Sequence, residues 1–579
     1  MSPATLAPGE AERLIDAALA AFQREDAAES WRLARRAAAA LPDSFDARNM
    51  AGTAALAAGD PAAALAHFDA AVRLAPTSTA QAANWLGGGR ARLGLGQPEQ
   101  ALAAFRRGLS LAPHWPPLTT GAAMALQELG RYEEAEVLAR EVLGKQPDDA
   151  QTRVILGASL LKQDRFQEAR DLLDPLTTDP QVGFEARHHL AMARKITGDL
   201  KGALSGVRAL LDEAPDFPAY SDLAQLQHFK SSDDPDFVRL AAREQELERL
   251  APPERIDLLF ALAKAYDELG DSERASRYLV EANRLEAIRK PYSPEEDEAR
   301  MARIAELFDA DFIHAYPGAG LTEVRPIFVI SLPRSGSTLT EQMIAAHSAI
   351  RGGGEIGHFA RVATELSLKW GTREDFPRIE PQAAVADLRE AARRYRELTA
   401  RLTLLQPRFT DKSLQNFLYI GLIRMMLPEA RIVHVRRHPL ATAFGLYRQR
   451  FAQAVRYSYD LDHIVRYYRA YERLMRHWRE TVSEGFIEVF HEALVTRPEP
   501  ELRRVFDYLD LEFEPACLEF YRLNRPVHTA SLAQVRRPLE SAGLTRHENY
   551  RDLLAPVATA LAEPIAAYER ELAQALGAD

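Results

Sequence analysis

"RPIFVISLPRSGSTLTEQMIAAHS", Arg325 to Ser348, decides the fold of the second half of this chain. Ile327-Phe328-Val329-Ile330 is an unbroken apolar run rich in β-branched residues, which predicts a central strand of a parallel sheet covered on both faces. Leu339 to His347 reads as a helix with Leu339, Met343 and Ile344 on one face. Between them, small residues make a tight turn that ends on the helix N-terminus. Free backbone N–H groups and the positive end of the helix dipole meet there, so the place suits a doubly charged oxyanion. Arg334, Ser335, Ser337 and Thr338 add side-chain donors around Gly336. The plainer alternative is an ordinary strand-to-helix turn capped by Ser337 or Thr338.

The loop departs from the nucleotide-triphosphatase pattern, which needs Lys directly before the Ser/Thr to reach the β and γ phosphates. Gly336 stands there instead. Such a loop cradles an oxyanion but is poorly equipped to cleave a triphosphate. Downstream, "ARIVHVRRHP" (Ala430 to Pro439) and "GFIEVFHEAL" (Gly485 to Leu494) predict further strands, with "LQNFLYIGLIRMMLP" (Leu414 to Pro428) as an intervening helix. That alternation is the pattern of a parallel sheet with right-handed crossovers, and ligands of such sheets bind beyond the carboxyl ends of the strands.

At 579 residues the chain is too long for one core, so two or more domains are expected. A net charge of −11 argues against a nucleic-acid partner, because neutralising phosphates needs a basic surface. The single cysteine, Cys517, excludes an internal disulfide and fits a reducing compartment. "MSPATLAPGEAERLIDAALAAFQRED" has no basic region followed by an apolar core, so no signal peptide is expected and the location predicted is cytoplasmic. No window approaches the ~18 uninterrupted apolar residues of a membrane span.

The first half is Ala-rich and repetitive. Prolines that close a Leu/Ala-rich helix fall at Pro42, Pro76, Pro113, Pro147, Pro180 and Pro215, with spacings of 34, 37, 34, 33 and 35. A second marker, the turn between paired helices, falls at Gly59, Gly96, Gly130, Asp164 and Gly198, with spacings of 37, 34, 34 and 34. The two series share the same three-residue insertion, which makes the period real. "LLFALAKAYDELGDSERASRYLVEANRL" (Leu258 to Leu285) is a late unit, and "HFKSSDDPDF" (His228 to Phe237) is the irregular piece before it. About seven or eight units fill residues 1–288, and residues 289–322 read as a linker with one short helix before a domain at 323–579.

A 34-residue helix–turn–helix repeat resembles the tetratricopeptide family, whose units bury their apolar faces only by stacking into a solenoid with a concave surface. From "RPIFVISLPRSGST" onward the chain resembles the sulfotransferases that use 3′-phosphoadenosine 5′-phosphosulfate (PAPS), above all the tyrosylprotein sulfotransferase group and its bacterial relatives with tetratricopeptide arrays. The resemblance implies an N-terminal all-α solenoid followed by a P-loop-like α/β sulfotransferase domain with a central parallel sheet. It also implies PAPS as co-substrate and adenosine 3′,5′-bisphosphate (PAP) as product.

"PRSGST" is similar to that family's loop for the 5′-phosphosulfate, which assigns Arg334, Ser335, Gly336, Ser337 and Thr338 to it. "RIVHVRRHPLATAFGLY" is similar to its 3′-phosphate segment, with Arg437 in the phosphate-binding position. "TASLAQVRRPLESAGLTRHENY" (Thr529 to Tyr550) resembles the later lid and places Ser531 and Arg546 near the cofactor. Glu355, after three glycines in "IRGGGEIGHF" that let the backbone approach closely, matches the family's catalytic glutamate, a general base for the acceptor hydroxyl. Lys412, at a helix start where a lysine opposes the helix dipole, matches the lysine on the sulfuryl group, and Arg361 matches a substrate-contacting arginine.

Four positions depart from the pattern: Gly445 for Ser, His438 for Asp or Asn, His491 for Tyr, and His547 for Trp. No His-Glu-x-x-His or paired-Cys spacing occurs, so no metal site is expected. The array suggests capture of a peptide or protein acceptor, with self-association into a homodimer as the other use. The competing functions are a non-catalytic tetratricopeptide scaffold with a degenerate nucleotide domain, or a P-loop-like kinase.

Overall fold

In the computed structural model the chain forms two compact units, residues 1–193 and 194–579. The structure describes residues 8–163, 165–316, 319–370, 385–404, 406, 408–451, 455–482, 485–523 and 535–577.

The described residues of the first unit are helical hairpins and their turns. Helices Phe45–Ala57 and Pro61–Leu74, Ser78–Gly94 and Pro98–Leu111, and Pro116–Glu128 and Tyr132–Lys145 are successive pairs. The glycine markers read from the sequence sit at the turns. Gly59, Gly96 and Gly130 have φ of +77°, +69° and +72°, left-handed conformations that a Cβ disfavours. Asp60 then caps the next helix by accepting from the Ala63 N–H at 2.9 Å, and Pro61 pre-sets its first turn. Small residues let the helices close on aromatic ones: a Cβ on Gly89 or Gly121 would lie 2.4 or 2.6 Å from the Phe105 ring.

The second unit opens with more repeat helices, Leu200–Glu213, Tyr220–Leu226, Pro235–Arg243, Pro252–Glu268 and Ser272–Arg289. Residues 227–234 are non-helical, at the place where the irregular piece is expected. The segment read as a linker with one short helix holds two, Pro294–Leu307 and Ala310–His314. Met301 and Ile304 of the first are buried. Arg466 of helix Leu461–Thr481 ties it down through Glu295 at 2.6 Å and Glu298 at 2.8 Å. Its charge run therefore serves as a set of ion-pair partners and solvated positions on an amphipathic helix.

Five strands form one parallel sheet among the described residues: β1 (Ile327–Ile330), β2 (Ile350–Gly352), β3 (Arg408–Asp411), β4 (Arg431–Arg436) and β5 (Phe486–Phe490). Their spatial order is β2-β3-β1-β4-β5. β1 is paired on both sides, Ile327 lying level with Thr410 of β3 and Arg431 of β4. Its four residues are all buried, as the apolar run requires. Ile327 and Val329 pack with Val433, Val435 and Val489 against Met343 and Ile344 of the following helix. The helix expected at Leu414 to Pro428 is a 3-10 segment, Leu414–Tyr419, running into an α-helix, Ile420–Met426.

Candidate active site

The chain leaves β1 toward one edge of the sheet, through β2 and β3, and returns to the other side of β1 as β4 and β5. The crevice beyond the carboxyl ends at such a reversal is where open α/β sheets bind ligands. In spatial order, β2 hands over to Glu355, β3 to Lys412, β1 to the loop at Arg334, β4 to Arg437 and β5 to His491. Residues scattered over more than a hundred positions of sequence thus share one sheet edge.

The loop after β1 is strained and open at its end. Arg334 has φ +68°, a conformation that a non-glycine residue adopts at a cost. The helix begins at Ser337 with Gly336 (φ +97°) at its N-cap, so neither Ser337 nor Thr338 serves as the cap. Gly336 brings no side chain to the first-turn N–H groups, which favours an external anion there. Ser335 Oγ lies 3.4 Å from Thr442 Oγ1. A Cβ at position 336 would fall 2.3 Å from His491 Nδ1, so this glycine is required for the close approach of the β5 edge.

The charges here are half-buried cations. Burial pushes the Arg334 guanidinium down to about 9, and neighbouring Arg448 and Arg437 push the same way. Burial also lowers Arg437, with Glu492 and Tyr568 opposing. The terminal nitrogens of Arg437 donate to the carbonyls of Arg334 at 3.1 Å and Gly543 at 2.8 Å. Its Nε is buried without a hydrogen-bond partner among the described residues. His491 is held down to about 3 by burial, then by Arg437 and Arg334, so its ring is neutral near pH 7. Such a cluster holds positive charge against its own repulsion, and an oxyanion relieves it.

A cavity of about 380 Å³ takes in Arg334, Gly336, Ser337, Thr338, Arg437 and Arg546. Ser335, Glu355, Lys412 and Arg361 do not line it. Arg546 reaches Asp267 of the repeat helix Pro252–Glu268 at 3.3 Å. Sequence reasoning missed Asp267, because an acid one turn before the repeat glycine reads as an ordinary surface charge.

Lys412 is fully buried and forms an ion pair with Glu355. It does not start a helix: it follows β3 directly and precedes Ser413, the N-cap residue of Leu414–Tyr419. The glycine loop before Glu355 is stapled to β3. Gly353 N–H donates to Thr410 Oγ1 at 3.0 Å, and Lys412 N–H to the Gly354 carbonyl at 2.9 Å. Buried Glu341 accepts from Gly354 N–H at 2.8 Å and from Thr410 Oγ1 at 2.7 Å. A Cβ on Gly353 would lie 2.2 Å from the Thr410 carbonyl oxygen, so that glycine serves an approach to the neighbouring strand. Buried Asp411 accepts from Tyr395, Asn416 and the Ser413 N–H and fixes the backbone on either side of Lys412. Glu341 and Asp411 are the supporting residues that the sequence alone does not single out.

Arg361 sits on helix His358–Lys369, half exposed, and pairs with Glu365 at 3.0 Å. Ser531 lies outside the described residues. Three of the four departures from the family pattern, Gly445, His491 and His547, line the cavity. A Cβ on Gly445 would lie 2.9 Å from the Arg334 Cβ, so its bareness makes room for that arginine. His438 and His547 stack on each other with ring centroids 5.1 Å apart.

The sulfotransferase family model matches residues 326–515, and tetratricopeptide repeat models match residues 12–79, 92–153, 130–194 and 256–288. The chain carries a sulfotransferase-family domain behind tetratricopeptide repeats. It is 31% identical over 313 residues to a protein of Aquifex aeolicus strain VF5 named "Uncharacterized protein", covering 52% of this chain and 41% of that one. It is 22% identical over 228 residues to the protein-tyrosine sulfotransferase of Drosophila melanogaster, covering 37% and 44% of the two chains. The chain thus spans less than half the length of these two curated relatives. Among solved structures, the sulfotransferase domain of the Synechococcus PCC 7002 olefin synthase matches at 21% identity with a TM-score of 0.31, over 40% of this chain and 90% of that one. No helix among the described residues is long and apolar enough to cross a membrane.

Proposed function

We propose that the chain transfers a sulfuryl group from PAPS to an acceptor hydroxyl, that of a tyrosine in a protein or peptide captured by the repeats. The observation that carries this reading is the half-buried cation cluster of Arg334 and Arg437 beside an uncapped helix N-terminus, in one cavity with Arg546. Those residues fit a ligand with two separate phosphate charges. The loop from Arg334 to Thr338 holds the 5′-phosphosulfate, and Arg437, whose Nε is a spare buried donor, holds the 3′-phosphate with Arg546. Family resemblance adds Ser531 to the same site.

PAPS, when bound, supplies an activated sulfuryl group on a phosphate leaving group. Glu355 takes the proton of the acceptor hydroxyl, and its ion pair with Lys412 keeps the carboxylate aimed. Lys412 places a fixed, dehydrated cation where charge grows during transfer, and preorganised cations of this kind are the larger part of such catalysis. Glu341 and Asp411 hold these two residues in register through the glycine loop and β3. Tyrosine as the acceptor is supported by the names of the relatives and by the array, which would raise the local concentration of a tethered peptide.

Thermal shift with PAP against ATP and GTP tests the nucleotide, and transfer of labelled sulfate from PAPS tests the reaction. Stabilisation by the triphosphates alone would point to a kinase-like protein, and neither binding nor transfer would point to a scaffold. Glu355→Gln should lower turnover ~10²-fold or more with PAP affinity nearly unchanged. Arg437→Ala should weaken PAP instead, because it removes a charged partner of the nucleotide.

A further inference from the structure

The cavity has a wall that the sheet domain does not supply. Ala224, Gln225, Phe260 and Lys264, from the repeat helices Tyr220–Leu226 and Pro252–Glu268, line it together with Arg334 and Arg437. The polar groups of that wall are held in place. Lys264 Nζ donates to the Gln227 carbonyl at 3.0 Å and pairs with Glu268 at 2.7 Å. Glu268 in turn accepts from Phe229 N–H at 3.0 Å and lies 3.2 Å from His228 Nδ1.

Asp267 is the joint between this wall and the rest of the site. Its carboxylate accepts from Tyr550 Oη at 2.6 Å, from Arg546 at 3.3 Å and from Arg448 at 3.1 Å. Asp267 is itself almost wholly buried. The Tyr550 ring packs on Phe444 with centroids 4.1 Å apart. Asp267, Arg448, Arg546, Tyr550 and Phe444 all line the cavity. A carboxylate serving only to dock two elements needs one partner. This one fixes two arginines that both line the same space, and without it both cations are free to move apart.

We infer that the repeat helix Pro252–Glu268 is part of the nucleotide site: Asp267 is a positioning residue that holds Arg546 and Arg448 for the 3′-phosphate of an adenosine 3′,5′-bisphosphate group, and Lys264 borders that group. The inference rests on the reading of the cavity as the PAPS site. It goes further in making the last repeats part of the cofactor machinery, whereas a tethered array would only present an acceptor.

The test titrates the full chain and its Asp267→Asn variant with PAP and with adenosine 5′-monophosphate in a calorimeter. PAP should bind the variant about tenfold or more weakly, while the monophosphate changes much less, so the preference for the bisphosphate narrows. Asp267→Glu should recover part of that preference. Loss of both ligands by one common factor, or no loss of either, overturns the inference. Lysine acetylation followed by mass spectrometry gives a second readout on the unaltered protein, needed where Asp267→Asn fails to fold. Saturating PAP should slow modification of Lys264 several-fold and leave Lys145 unchanged. Equal labelling of Lys264 with and without PAP overturns the inference. A wild-type chain that binds no PAP at all brings down the sulfotransferase reading, and this inference with it. Wild-type binding with a variant of unchanged preference brings down only the inference.

Discussion

The repeats before residue 194 and those after it come from one period and differ in what they pack against. In the first unit, apolar clusters such as the one around Phe105, Leu118 and Leu126 are drawn from neighbouring repeats alone. In the second, repeat helices bury polar partners in the sheet domain. Asn283 Nδ2 donates to the Tyr447 carbonyl at 2.9 Å, Lys290 Nζ to the Phe451 carbonyl at 2.9 Å, and Arg450 pairs with Asp257 at 2.9 Å. Leu200 packs on the core that includes Ile327 and Val433. The same hairpin is thus a self-sufficient stack in one place and a structural wall of an α/β domain in the other.

The largest expected effect comes from cutting inside the second unit. Deleting residues 1–254 removes Lys195, Leu200 and the helix Tyr220–Leu226, and uncovers apolar surface of the sheet domain. That fragment should bind a hydrophobic dye and fail to bind PAP. A folded, PAP-binding fragment would show that the late repeats are as dispensable as any tether.

Ion pairs sharpen the contrast. Asp257 is 3% exposed beside Arg450, whereas Glu134 beside Arg131 in the first unit is 54% exposed. Removing one partner of a buried pair strands the other, at about 3–5 kcal/mol. Urea unfolding of residues 194–579 carrying Asp257→Ala should show a loss of that order. Packing in the first unit is the intermediate case. Gly89→Ala drives a methyl into the Phe105 ring and should cost ~1–3 kcal/mol in the first unit while leaving PAP affinity unchanged. Glu134→Ala, at the exposed end of the scale, should change stability by less than ~1 kcal/mol. Equal losses for Asp257→Ala and Glu134→Ala would erase the difference drawn between the two sets of repeats.

The sequence carried the parts of this architecture that repeat or run apolar. The turn glycines showed the hairpin period because only a left-handed turn needs them, and Ile327 to Ile330 showed β1 because a fully covered strand excludes polar residues. β2 and β3 were illegible: "IRG" and "RFTD" are short, interrupted by polar residues, and specified by pairing with neighbours instead of by pattern. The site was legible where a motif concentrates it, at the loop from Arg334 to Thr338. Glu341 accepts from Thr410, 69 residues away, and Asp267 from Tyr550, 283 residues away, and no local pattern announces an acid with such a partner. Asp411, whose partners Tyr395, Asn416 and Ser413 are 16, 5 and 2 residues away, reads as an ordinary turn acid. Gly445, a departure from the family's Ser, is explained by Arg334 occupying the space of its missing side chain.

The central claim is that the chain's functional boundary falls near residue 194, inside the repeats, and not where the repeat pattern ends. Calorimetric titration of residues 194–579 with PAP tests it most directly. The account predicts an affinity within about threefold of the full chain, a difference under ~0.7 kcal/mol. A fragment that is folded by circular dichroism yet binds PAP tenfold or more weakly would contradict it, because the first unit would then belong to the nucleotide site as well.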